Sequence, residues 1–336
     1  MSTLGIGQDG YLRVQKESVF GTGVTNSMTL LPVKPETNLK SVVQQIENAN
    51  IMGSRVRQAP NIGRTKIDGE IIMDGYPSLL GLVFNLLFGT SADAVSDSAY
   101  EHTFLAPMTN SVPAKSFTAQ QAHGSDTAEQ MNGGIILSMK IASDSQGNVV
   151  FSFKTFHQSL TDAVTRITSF SYPAETAYKF SHLSCVIDPL LPANDAAITL
   201  SMDSFELEYM PGYTEENFKI GSITSAQPVV DKSPTVTMKA TINADGRYDG
   251  YARTIQTFSA AIQLLHTEYA AGTVPFRTQI EIPKMRLVSD TVTPNGNDLL
   301  KMDLNFMADF GGTTTGGGSD TQIMEVRHRD AVAAYA

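Results

Sequence analysis

Along most of the chain, apolar and polar residues alternate with a period of two, in runs bounded by Gly, Asn, Asp and Pro. Such alternation marks strands with one buried and one solvated face. The strongest runs fall in two pairs, residues 135–142 with 149–156 and residues 276–288 with 299–310. The first pair brackets Ser143-Asp144-Ser145-Gln146-Gly147-Asn148. The second brackets a segment that opens with Ser289-Asp290 and closes with Asn295-Gly296-Asn297. Gly and Asn tolerate the positive φ of tight hairpins, so each pair is predicted to be a hairpin.

The parallel extends upstream. Residues 65–76 (TKIDGEIIMDGY) resemble residues 237–248 (TMKATINADGRY), each an alternating strand that closes on Asp-Gly. Ile51-Met52-Gly53-Ser54 is echoed by Lys219-Ile220-Gly221-Ser222 at a separation of 168 residues, close to the 171 between Asp74-Gly75 and Asp245-Gly246 and equal to half of 336. Short words in constant order at a near-constant offset argue for an internal duplication, each half one supersecondary unit. The alternative is one continuous β domain with recurrent turn chemistry.

A helix is predicted after each Asp-Gly turn. Residues 76–88 carry Pro77 at the start and Gly89 just past the end, and are apolar on nearly every face, the pattern of a buried helix. Residues 251–266 (YARTIQTFSAAIQLLH) are similarly placed and more amphipathic. The expected fold class is therefore mainly β, with two related β-sandwich or partial-barrel modules, each flanked by a helix. Residues 1–165 form the first module with an N-terminal arm and residues 166–310 the second. Residues 311–336 form a Gly-rich linker and a tail that caps a neighbour or stays loose.

Two long polar stretches, residues 47–64 and 212–234, exceed the usual loop length and so are expected to serve a function. The first holds Arg55, Arg57 and Arg64 beside Ile51 and Met52; the second holds Glu215, Glu216 and Asp231 beside Phe218 and Ile220. Opposite charges next to apolar anchors suit contacts between stacked copies, with the anchors supplying most of the binding. Solvated charge is the other reading of each residue singly.

Composition narrows the possible functions. Charged residues are 17% of the chain, and 24 Lys plus Arg against 34 Asp plus Glu give a net charge of −10. Proteins that grip DNA neutralise several phosphates with basic side chains, so this balance opposes tight nucleic-acid binding while permitting DNA to slide past. Cys185 is the single cysteine, which excludes an intramolecular disulfide framework, and its alternating context (HLSCVID) predicts a buried, inert thiol. The longest apolar run, residues 79–88, is half the length a spanning helix needs, so no membrane span is expected, and the polar start argues against a signal peptide.

No motif for covalent chemistry emerges. His102, His123, His157, His182, His266 and His328 are scattered singly, without HxH or HExxH spacing. GxSxG is absent, and the Gly-rich stretch 311–318 lacks the GK[ST] of a phosphate-binding loop. Glu206, Glu208 and Asp203 lie on an alternating strand, where a solvated face is the ordinary reading and a glycosidase pair the alternative. No catalytic residue, metal site or cofactor is expected.

The order of features resembles the phage tail tube proteins of long-tailed bacteriophages, of the larger, duplicated-domain type. Glu17-Ser18-Val19-Phe20-Gly21-Thr22 is similar to that family's early E-S-x-[YF]-G-T word. Further correspondences are Gly69-Glu70-Ile71, Gly89, the strand 137–141, Ile282-Pro283-Lys284-Met285 and Asn305-Phe306-Met307-Ala308. The resemblance implies a virion protein, assembled in the host cytoplasm, whose rings stack into a tube around a lumen that conducts genomic DNA without reading its sequence; the two related halves of the chain predict three chains in each ring. It also implies tape measure, tail terminator and distal tail proteins as partners. Another virion adaptor or decoration protein, and a carbohydrate-binding module or hydrolase, are the alternatives.

Overall fold

The computed structural model describes residues 10–47, 59–89, 91–96, 98–106, 115–123, 127–191, 197–214, 217–244, 257–293, 300–311 and 322–335. Strands dominate, as the alternation predicts. In chain order they are β1 (Tyr11–Lys16), β2 (Thr29–Leu31), β3 (Asn38–Ile46) and β4 (Asn61–Asp74), then helix α1 (Pro77–Phe88), then β5 (Ala92–Ser96), β6 (Ala99–Leu105), β7 (Phe117–Ala122), β8 (Ala128–Asp144), β9 (Val150–His157) and β10 (Ser159–Val164). The second half contributes β11 (Leu183–Leu191), β12 (Ile198–Thr199), β13 (Met202–Met210), β14 (Thr235–Asn243), β15 (Thr257–Ala271), β16 (Val274–Thr293), β17 (Lys301–Ala308) and β18 (Glu325–Asp330).

Helix α1 forms where the end signals place it. Pro77 occupies the first turn, where its missing N–H has no intrahelical partner to lose, and Gly89 leaves the helix at φ 94°. Every residue except Ser78 is buried. Phe84 lies 5.9 Å from the Phe104 ring, 6.4 Å from Phe151 and 5.7 Å from His328, while Phe88 stacks on Tyr209 at 5.3 Å. These contacts join first-half and second-half residues in one contiguous core that also takes in Cys185, whose thiol burial pushes up to about 12.

The second expected helix is corrected. Residues 257–266 belong to strand β15, and 251–256 lie outside the described residues, so α1 is the one α-helix among those described. Phe258, Ala260, Ile262, Leu264 and His266 are buried at a spacing of two, and β15 is paired on both sides, with β11 and with β16. Apolar spacing in this segment fits either period, and two flanking ladders satisfy its backbone as a strand.

The hairpin of residues 135–142 with 149–156 is present as β8 with β9, from Ile135↔Phe156 to Ala142↔Val150. Its second-half counterpart is shifted. β16 meets β17 only from Met285 to Thr293, while residues 274–286 of β16 pair with β15. β8 divides in the same way. Its N-terminal part lies between β7 and β10, and its C-terminal part pairs with β9.

Residues 322–335 of the C-terminal segment pack within their own chain. β18 inserts between β16 and β6, from Arg277↔Arg329 and Arg329↔Glu101, and so ties the second half to the first. Buried polar groups hold it. His102 Nδ1 is 2.8 Å from Asp93 Oδ1, and its Nε2 is 3.3 Å from Asp330 Oδ1 and 2.8 Å from the Val332 carbonyl. Tyr335 donates to the same Asp330 and rests where a side chain on Gly81 of α1 would stand. Burial alone would push the His102 pKa down, but the bonds to Asp330 and Asp93 outweigh it and raise the value to about 9. A raised folded-state value stabilises fully below the ordinary 6.5, and the contribution is lost as pH rises through about 9. Urea titrations at pH 6, 7.5 and 9 should therefore show wild-type stability falling with pH, and His102→Asn should flatten that slope. An unchanged slope in the variant would contradict the assignment.

Candidate assembly surfaces

The repeated words of the sequence occupy repeated places in the sheet. In the first half the strand order is β3-β4-β9-β8, and in the second it is β13-β14-β17-β16, every neighbouring pair antiparallel. The two four-stranded units meet edge to edge within the chain. β8 pairs with β13 over six residues, from Tyr209↔Met139 to Ser204↔Asp144. This seam closes one edge of each unit, and both strands carry alternating apolar residues that place Ile141, Phe205, Leu207 and Tyr209 in the core.

The opposite face of this eight-stranded sheet is polar, because every second residue points away from the core. Glu206 receives Lys140 at 2.8 Å across the seam and Lys239 at 3.5 Å from β14, and the hydrogen bond from Lys140 leads in holding its carboxyl below the usual range. Lys301 is held by Asp203 and by Asn243 at 3.0 Å. Ser204, Thr241 and Asp303 form a hydrogen-bonded row, with Ser204 donating to Thr241 at 2.9 Å and Thr241 to Asp303 at 2.7 Å. Towards the outer edge Lys66 pairs with Asp68 at 3.1 Å and Lys34 with Asp74 at 3.0 Å. Of the carboxylates considered at the outset, Glu206 and Asp203 thus hold ion-pair partners on this polar face.

Of the loop residues singled out by sequence, Ile51, Met52, Arg55, Arg57, Glu215 and Glu216 lie outside the described residues. Arg64, Phe218 and Ile220 are described. Arg64 is on strand β4, not in a loop, because β4 begins at Asn61. Its guanidinium lies over the Phe218 ring at 4.9 Å, so the two stretches meet inside one chain. The segment between β13 and β14 continues their ladder as an arm, through Tyr213↔Val230 and the bond from Thr214 N–H to the Val229 carbonyl. Near its tip Ile223 accepts from the Thr65 N–H, and Ile220 and Ile223 are exposed.

The early Glu-Ser-x-Phe-Gly-Thr word also has a physical basis. Glu17 is buried, and its carboxylate accepts from Gly21 N–H at 2.9 Å, Thr118 Oγ1 at 2.9 Å and Gly133 N–H at 2.8 Å. The turn places Phe20 against Ile135, Leu137 and Phe156 on the polar side of the sheet.

Strand β3, which ends just before the first long polar stretch, shows little alternation in sequence. Its apolar residues break the period of two, since Val42 and Val43 are adjacent and both largely exposed, with Ile46 beyond them. That doubling of β-branched residues in a short polar run was the available signal.

No group of His, Cys, Asp or Glu with metal-binding geometry occurs among the described residues, and no helix among them is long and apolar enough to cross a membrane. A search of curated proteins finds no match to the chain. A family model described as phage tail tube protein matches residues 7–326, nearly the whole length. With this match over residues 7–326, the mainly-β chain belongs to the phage tail tube protein family.

Proposed function

We propose that this chain is a structural, non-enzymatic subunit of a bacteriophage tail, forming rings that stack into a tube whose lumen conducts DNA during ejection. The observation that carries the reading is the β8–β13 seam, where two four-stranded units of the same order join edge to edge. Repetition of that join between chains extends the sheet around an axis, and closure removes the free edges that make open sheets aggregate. With two units per chain, residues 1–165 and 166–310, three chains give a ring of six similar units.

The polar sheet face suits a lumen wall. Lys140, Lys239 and Lys301 are each held by a carboxylate, so passing phosphates meet few uncompensated cations and transit is fast. Stacking falls to the long loops, with Phe218, Ile220, Ile51 and Met52 as apolar anchors and Arg55, Arg57, Arg64, Glu215 and Glu216 as the charged rim. Each fully buried anchor contributes roughly 1.5–3 kcal/mol, against about 0–1 kcal/mol for an exposed ion pair. The tube would assemble in the host cytoplasm and contact tape measure, tail terminator and distal tail proteins at its core and ends.

Negative-stain microscopy with mass measurement of the purified protein tests this reading. The expected result is rings of sixfold appearance containing three chains, lengthening into tubes. Six chains in each ring would overturn the stoichiometry, and rings that never stack would favour an adaptor at the end of a tail.

A further inference from the structure

Helix α1 carries a glycine where helix propensity favours almost any other apolar residue. Gly81 stands mid-helix among Leu79, Leu80, Leu82 and Val83, and glycine there weakens a helix relative to alanine. The packing supplies a reason. A Cβ at position 81 would fall on the ring of Tyr335, whose Oη, Cζ and Cε2 are its nearest atoms. Tyr335 therefore rests on the backbone of α1, on a surface that a side chain at position 81 would fill. The same ring meets that of His102, with 4.8 Å between centroids.

Residues 331–335 cross over the end of the β6–β18 ladder on a small number of contacts. Val332 N–H donates to Asp330 Oδ1 at 2.8 Å, and the Val332 carbonyl accepts from His102 Nε2 at 2.8 Å. The Tyr335 hydroxyl donates to Asp330 Oδ2, and its carbonyl accepts from Lys16 Nζ of β1 at 3.4 Å. Ala331, Ala333 and Ala334 are exposed, whereas His102 and Asp330 are fully buried. Both buried residues belong to the ladder, where Asp330 lies opposite Tyr100 and His102 opposite His328. We infer that residues 331–335 form a strap, keyed by Tyr335 onto the surface that Gly81 leaves open on α1, and that release of this strap is the first step in opening the β6–β18 ladder. With three of its five residues exposed, the strap buries little apolar surface, and such segments open at lower free energy than the strands they cover. Release admits water to His102 and Asp330. The ladder that joins the last strand of the second half to the first half then frays from its Asp330↔Tyr100 end.

A double-mutant cycle and native-state hydrogen exchange on the full chain test the strap. Gly81→Ala is expected to lower the urea midpoint of the wild type, because the added methyl displaces Tyr335. In a Tyr335→Ala background the same change is expected to raise the midpoint or leave it unaltered, since the clash is gone and alanine is the better helix former. Tyr335→Phe keeps the ring over Gly81 and loses only the bond to Asp330, so Gly81→Ala should still lower the midpoint there. Equal losses in the wild-type and Tyr335→Ala backgrounds would show that Tyr335 is not keyed to Gly81. Amides of β6 and β18 are expected to exchange faster than those of β8 and β9 in the wild type. Tyr335→Ala should speed the β6 and β18 amides by about tenfold, the same factor by which it raises the unfolding constant, because the strap is already released when they open. Wild-type β6 and β18 amides as slow as those of β8 and β9 would mean that the ladder has no opening of its own. Unchanged β6 and β18 rates in a destabilised Tyr335→Ala would mean that the ladder opens with the strap in place. Either result overturns the inference.

Discussion

Glu17→Ala is expected to destabilise the unassembled protein by about 3–5 kcal/mol, because two buried donors and one half-buried donor lose their acceptor and a buried one costs roughly 1–3 kcal/mol when left unpaired. The donors are the N–H groups of Gly21 and Gly133 and the Thr118 hydroxyl. None of them has an easy alternative. Gly21 and Gly133 hold φ of 75° and 66°, a backbone state set by the turn itself, and Thr118 is fully buried on β7. Glu17→Gln, which keeps one acceptor oxygen, should fall between wild type and Ala. Ser18→Ala, at an exposed neighbour in the same word, should change stability by less than about 0.5 kcal/mol. Urea unfolding read as the midpoint at constant m separates the three. Equal midpoints for Glu17→Ala and Ser18→Ala would show that the carboxylate does not hold the turn.

Acid should destabilise the fold through His157 on the order of 4 kcal/mol by pH 3, at about 1.4 kcal/mol for each pH unit. His157 is buried edge-on to Phe117 with 5.2 Å between ring centroids, and its ring lies so close to Gly134 that a Cβ there would come within 2.8 Å of it. Neither ring nitrogen has a hydrogen-bond partner among the described residues, and burial lowers the pKa to about 3. The folded protein therefore refuses a proton that the unfolded chain accepts below 6.5. Stability is present above that value and drains away as pH falls from 6.5 towards 3. The His182 pKa is also lowered by burial, but that ring is partly exposed. His157→Leu isolates the larger effect, since it should flatten the acid limb of a stability–pH curve measured from pH 7 to 4. Parallel curves for variant and wild type would refute the role. Sequence had read this histidine as a surface or packed-core residue; burial decides between the two and gives it a pH dependence.

Much of the architecture was legible in local pattern. Period-two alternation located β4, β8, β9, β14 and most of β16 and β17, and the end signals Pro77 and Gly89 bracketed α1 closely. Local signals suffice there because a strand's buried face and a helix's termini are properties of neighbouring residues. The same signals could not separate strand from helix in β15, where Phe258, Ile262 and Leu264 suit both periods and only the flanking β11 and β16 ladders select one. Nor could they find two of Glu17's three donors, which come from β7 and β8, about a hundred residues away in the chain.

The sequence by itself determined that the chain is mainly β, that its halves repeat similar words, and that its charge opposes DNA binding. It also carried the words that resemble the tail tube family. The tertiary structure alone decided which edges meet. Alternation states which face of a strand is buried but not which strand lies beside it, since the ladder's N–H and C=O groups are the same in every residue except proline. Only when β8 is seen against β13 do the two four-stranded units become one continuous sheet. Only when β18 is seen between β16 and β6 does the tail after the Gly-rich stretch become part of the core.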